Sequence, residues 1–81
     1  MEVNFKLIGT MKFIATVDGK SEVTREIPDG GTVEDALRAI GIDRQKTAQF
    51  QFAAVNGKKV ELDYVLQPGD TVKVFPRSFG G

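Results

Sequence analysis

Neither cysteine nor histidine occurs in the 81 residues. The chain therefore has no side chain whose ordinary pKa lies near neutrality and no thiolate nucleophile. Structural zinc and iron–sulfur centres draw their ligands from those two residue types, so no metal site is expected. Stability comes from the core alone, without a disulfide, and scales to about 4–12 kcal/mol for a single domain of this length. Long hydrophobic runs are lacking as well. The longest uninterrupted apolar stretch is "FAAV", Phe52 to Val55, far short of a bilayer span, and no signal-peptide pattern opens the chain, so a cytoplasmic protein is expected. Charge of one sign is also missing: eleven Lys and Arg balance eleven Asp and Glu. That balance gives no electrostatic reason to expect a nucleic acid or an anionic membrane as partner.

These absences weigh against an enzyme acting alone. The carboxylates that remain include the adjacent pair Glu34-Asp35. On a helix, neighbouring residues point apart, so this pair reads as first-turn charge facing the helix dipole and not as an acid/base couple. No catalytic residue is assigned, and no bound cofactor is expected.

What is present is a strong alternation. Odd positions from Val3 to Val17 read Val, Phe, Leu, Gly, Met, Phe, Ala, Val, while the even ones are mostly polar, the period-two mark of strands with one buried face. Fifteen residues would extend about 50 Å, too long for so small a domain. A break at Gly9-Thr10 yields two strands, Val3 to Ile8 and Met11 to Thr16, and the domain's first strand starts at either Val3 or Met11. "VDGK" then turns the chain into "SEVTREI". A three-residue bulged loop with Gly19 left-handed pairs Thr16 with Lys20 and keeps odd positions opposite odd.

In "PDGGTVEDALRAIGI", Val33, Ala36, Leu37 and Ile40 follow helical spacing behind an N-cap at Thr32, with Asp35 as the acidic member of a capping box and Gly41 as the stop. "DRQKTA" reads as a polar connection. "QFQFAAVNGKKVEL" resumes strand patterning around an Asn56-Gly57 turn, with Lys58-Lys59 as a solvated turn, "PGD" turns again, and "TVKVF" is a last strand before Pro76. Strand, strand, helix, strand, short strand, strand is an α+β order, that of a β-grasp in which one mixed sheet wraps one helix. The domain is expected to cover 1–76, with residues 77–81 a flexible tail.

The chain closes on Gly80-Gly81. With glycine at roughly 7% of residues, a pair in the last two positions arises by chance in only about 0.5% of chains. Glycines at a terminus also do nothing for a core. The closing stretch "AVNGKKVELDYVLQPGDTVKVFPRSFGG" resembles the ubiquitin-like sulfur carriers of the MoaD and ThiS type. The elements that carry the likeness are the strand and turn Ala54 to Gly57, Leu66, the Gly69-Asp70-Thr71-Val72 turn and strand, and the terminal Gly80-Gly81. Met11 to Ile42 is similar to the opening half of ubiquitin.

The resemblance implies a covalent carrier without an active site of its own. An ordinary terminal carboxylate is anionic at neutral pH and a poor electrophile. An activating enzyme of the MoeB or ThiF type would use ATP to adenylate Gly81. Sulfur transfer would convert the acyl-adenylate to a thiocarboxylate, and an acceptor synthase such as the molybdopterin synthase large subunit or thiazole synthase would take the sulfur. Pterin, thiazole and tRNA sulfur chemistry would all suit the chain. Arg77, Ser78, Phe79 and Gly80 would form the tail, with Gly80 and Gly81 able to thread a narrow channel. Phe75, set opposite in phase to Val72 and Val74, would sit with Pro76, Phe52 and Ala54 on a partner-binding face of a free monomer. Two alternatives share the residues: a ubiquitin-like modifier joined through Gly81 to lysines of other proteins, and a noncovalent β-grasp interaction module.

Overall fold

A computed structural model describes residues 1–77. Its elements run β1 (Glu2–Leu7), α1 (Met11–Ile14), β2 (Glu22–Glu26), α2 (Val33–Ala39), β3 (Phe50–Val55), β4 (Lys58–Val60) and β5 (Thr71–Pro76). The strands form one sheet in the order β2-β1-β5-β3-β4. β1 pairs antiparallel with β2 and parallel with β5, and β5 and β4 each pair antiparallel with β3. The sheet is mixed, it lies against one principal helix, and the fold is the β-grasp expected.

β1 follows the alternation: Val3, Phe5 and Leu7 are buried, whereas Glu2 and Lys6 are exposed. The first strand thus begins at Glu2. The expected strand from Met11 to Thr16 and the bulged hairpin after it do not form. Gly9 takes a left-handed φ of 57° and turns the chain into α1, where the Ala15 amide donates to the Met11 carbonyl at 2.9 Å. Met11 and Ala15 are buried four residues apart while Phe13, between them, is 71% exposed. A spacing of four satisfies both a strand and a helix; Phe13 alone distinguishes them. Further on, Asp18 and Gly19 both have positive φ and Lys20 donates to Val17 at 3.0 Å, so the loop is a tight two-residue turn. It leads into β2, whose partner is β1, with Lys6 opposite Glu22.

α2 forms as its sequence dictates. The Thr32 hydroxyl accepts from the Asp35 amide at 3.3 Å, and the Asp35 carboxylate accepts from the Thr32 amide at 2.9 Å, satisfying two amides that a helix start leaves open. The Thr32 amide first, and then the Thr32 hydroxyl, which donates to the same carboxylate at 3.2 Å, hold the Asp35 carboxyl below its ordinary pKa. At the other end Gly41, with φ 79°, donates to Arg38 and Ile42 donates to Leu37, a Schellman ending that leaves Leu37 and Ile42 both buried. Val33, Ala36, Leu37 and Ile40 pack on the inward residues of the sheet, Val3, Phe5, Leu7, Ala53, Val55, Val72 and Val74, with Met11, Val17, Ile27, Phe50 and Leu66 closing the rim. The Asn56-Gly57 turn has both residues at positive φ between paired Val55 and Lys58, as its sequence demands.

Candidate functional site

β5 decides what the sheet shows to solvent. Val72 and Val74 are fully buried beneath it, so Thr71, Lys73 and Phe75 lie on the outer face. Phe75 is paired in register with Phe52 of β3. The rings stack with centroids 4.6 Å apart and planes 15° from parallel, a geometry that adds attraction beyond buried area. Both are half-buried and outside the core cluster. Ile8 is likewise half-buried and outside the core, and its amide donates to Val74 at 3.0 Å. It prolongs β1 beside Phe75 on the outer face and gives an apolar row of Ile8, Phe75 and Phe52. Sequence reasoning missed Ile8, although an apolar residue in the polar phase of β1 was the available signal.

Ala54, expected on the same face, is only 7% exposed. Its register neighbours are Lys59 and Lys73, whose long aliphatic stems shade a methyl group set between them. Ala54 therefore shares the outer face with the two rings but offers little surface of its own. Lys59 also places its ammonium 5.4 Å from the Phe52 centroid, a cation–π contact. On the β1 side Lys6 is opposite Lys73 and forms a 3.7 Å ion pair with Glu22. Lys58 and Lys59, expected as a solvated turn, instead stand on β4 after the Asn56-Gly57 turn; the lysines of this face were not among the sequence candidates, since charged residues on a strand's polar phase carry no special mark.

Pro76, half-buried, ends β5 near Gly9: a β-carbon built on Gly9 would stand 3.5 Å from the Pro76 ring. One residue on, Arg77 is fastened on the other side. Its amide donates to Gln49 at 2.7 Å and its Nε donates to Ala48 at 2.6 Å. The strand thus leaves the sheet between the Gly9 turn and the loop before β3. Ser78, Phe79, Gly80 and Gly81 lie outside the described residues. Among the described residues no three His, Cys, Asp or Glu side chains cluster as a metal site would need. No described helix is long and apolar enough to cross a membrane. A shallow groove of about 390 Å³ on the outer face is lined by Asn4, Lys6, Glu22, Thr24 and Thr71. There Asn4 accepts from Thr24 at 2.8 Å.

A five-stranded mixed sheet over one helix, with an aromatic outer face and a last strand running out between two loops, defines a small ubiquitin-like β-grasp domain. The ThiS family model matches residues 11–81, and the chain belongs to that family of small ubiquitin-like carriers, which are not catalysts themselves. No curated protein matches the sequence. Among solved structures, a putative molybdopterin converting factor subunit 1 from Pyrococcus furiosus is 28% identical, with a TM-score of 0.74 over 96% of this chain and 99% of that one. Small archaeal modifier protein 1 of Haloferax volcanii superposes with a TM-score of 0.80 over the whole of both chains at 23% identity. At 20% identity and a TM-score of 0.63, the chain also aligns over its full length with a structure described as a complex of subunits 1 and 2 of the molybdopterin-converting factor from Helicobacter pylori. At those last two identities the likeness speaks for the fold.

Proposed function

We propose that the chain is a sulfur carrier whose Gly81 carboxylate is the group carried. The single observation behind this reading is the family match that runs through β5 to the closing Gly80-Gly81. In the first step a Gly81 carboxylate oxygen attacks the α-phosphorus of ATP on a MoeB- or ThiF-type activating enzyme, and pyrophosphate leaves. In the second, a hydrosulfide ion supplied by a donor attacks the acyl carbon, displaces AMP and loses its proton, which leaves a thiocarboxylate. An acceptor synthase then takes the sulfur. A large-subunit partner of the molybdopterin synthase type fits the likeness to the molybdopterin-converting factor, and thiazole synthase fits the family's name. The chain itself supplies no general base and no metal, and the ATP is the partner's substrate. Dependence on an ATP-using activating enzyme supports a cytoplasmic location as part of this proposal.

The outer face serves as the docking surface. Phe75 and Phe52 present one stacked platform, with Ile8 and Pro76 beside it, at the end of the sheet from which Arg77 departs. Aromatic anchors in such a position commonly carry most of the energy of an interface. A partner that grips the platform holds the tail's root at a fixed place relative to its own nucleotide site.

The likeness to small archaeal modifier protein 1 supports a second reading, in which the same activated Gly81 forms amide bonds to lysines of other proteins. Protein recovered from its own host separates the two. A carrier shows a fraction in which sulfur replaces one oxygen of the Gly81 carboxylate. That exchange adds nominally the same mass as oxidising one methionine, and Met1 and Met11 both form sulfoxides. The added mass must therefore lie in the methionine-free fragment after Arg77. Gly81 joined to lysines of other proteins would favour the modifier. Neither species, even with activating enzyme, sulfur donor and ATP supplied, would leave the noncovalent module.

A further inference from the structure

We propose that Arg77 is a positioning residue that fastens the root of the tail and so fixes where Gly81 is delivered, an inference that rests on the carrier reading above. The ladder between β3 and β5 ends in register at Phe50 opposite Pro76. The chain is nevertheless held one residue further, by the Arg77 amide on Gln49 at 2.7 Å and by the guanidinium Nε on Ala48 at 2.6 Å. The two acceptors are consecutive carbonyls, so a main-chain and a side-chain donor of one residue grip the same short segment.

That segment is itself braced. Asp43 accepts from the amides of Lys46 and Thr47 at 3.0 and 2.7 Å through its main-chain carbonyl, and from the Gln45 amide at 2.9 Å through its carboxylate. The Thr47 hydroxyl accepts from the Asp43 amide at 3.1 Å, and the Thr47 carbonyl accepts from Phe50 at 3.2 Å. No carboxylate among the described residues pairs with Arg77. The charge is therefore not what holds it. A planar guanidinium directs its Nε–H along a fixed line, which a lysine ammonium on a flexible stem does not.

Four residues follow Arg77, and fully extended they reach at most about 14 Å. With the root clipped, Gly81 can lie no farther than that from the edge of the sheet where Phe75 and Pro76 lie. A free root would lengthen that reach by Arg77 and Pro76, and the partner would have to order those two residues on binding. The clip orders part of the tail before the encounter, so it acts on the apparent affinity for the activating enzyme and not on the chemistry of adenylation.

The test is ATP–pyrophosphate exchange driven by the host's activating enzyme, with the whole protein and its Arg77→Ala and Arg77→Lys variants. We expect the alanine variant to raise the KM for the carrier about tenfold with kcat within twofold, and its melting temperature to stay within about 2 °C. The lysine variant, which keeps the charge but not the directed Nε–H, should recover only part of the loss. In 15N-labelled protein the backbone amide of Arg77 should show a rigid heteronuclear NOE that drops in the alanine variant, with shifts at Ala48 and Gln49. Exchange by the wild type with an unchanged KM for Arg77→Ala would overturn the positioning role alone, as would full recovery by Arg77→Lys, which would leave only charge. No exchange by the wild type would overturn the carrier reading and this role with it.

Discussion

Truncation of Phe75 to alanine separates a docking platform from a piece of core. Full burial of a phenylalanine is worth about 1.5–3 kcal/mol; Phe75 is half-buried, so its share is about 1–1.5. The stack on Phe52, at 4.6 Å and 15°, adds about 0.5–1.5 kcal/mol. Together these give a loss of about 2 kcal/mol, below the 3–5 kcal/mol typical of a buried phenylalanine removed from a core. In a domain of this size that lowers the melting temperature by about 8–16 °C, and the protein remains mostly folded at 25 °C. Urea unfolding measures the loss. A double-mutant cycle with Phe52→Ala should return a coupling of about 0.5–1.5 kcal/mol. Binding is measured separately, by calorimetric titration of the folded variant into the activating enzyme, where an anchor of this kind costs about 1–3 kcal/mol. A stability loss of 3–5 kcal/mol with unchanged affinity of the folded fraction would refute the reasoning and place the ring in the core.

Four further perturbations follow from other parts of the chain. Thr32→Ala removes the hydroxyl that caps α2 and should cost about 1 kcal/mol in urea unfolding. The Asp35 carboxyl, held below its ordinary pKa by its bonds to Thr32, contributes stability that is complete above its unfolded pKa and disappears as pH falls through the lower folded value. Unfolding curves taken between neutral and strongly acid pH should show that slope in the wild type and a flatter one in Asp35→Asn, and identical slopes would remove the carboxylate from the account. Gly41→Ala should destabilise more than Gly57→Ala although both have φ of 79°, because a β-carbon at 41 would lie 2.7 Å from the Thr16 methyl and at 57 would meet nothing within 4 Å; equal melting temperatures would contradict the clash. Deleting Gly80 and Gly81 should leave the melting temperature nearly unchanged, since the core of the described residues closes at Val74, yet abolish adenylate formation measured by pyrophosphate release.

Local chemistry was legible wherever it is self-contained. The capping box at Thr32 and Asp35, the stop at Gly41 and the Asn56-Gly57 turn are each specified by residues within a few positions of one another, and each formed. The Met11 to Thr16 segment was misread because its inward residues, Met11 and Ala15, are four apart, a distance that fits either period. Only tertiary packing decides that Phe13 faces water. The pairing of Phe75 with Phe52 was readable as a shared face, but its exact register depends on an irregularity of the ladder between Phe50 and Phe52, which no periodicity announces. The hydrogen bonds that hold Arg77 join residues 28 and 29 positions apart, and nothing local in "PRSF" foretells them.

The parallel pairing of β1 with β5 makes the domain an all-or-nothing product of its own synthesis. β5 is inserted between β1 and β3, so a chain stopped before Thr71 has only the ribbons β2-β1 and β3-β4. Two-stranded ribbons of that kind are marginal by themselves. The central strand is made last, and its partners wait with their apolar faces open until it arrives. Nascent or clipped copies that lack β5 are thus left open to proteolysis. A copy that presents the aromatic platform to a partner must already contain the strand from which its tail extends.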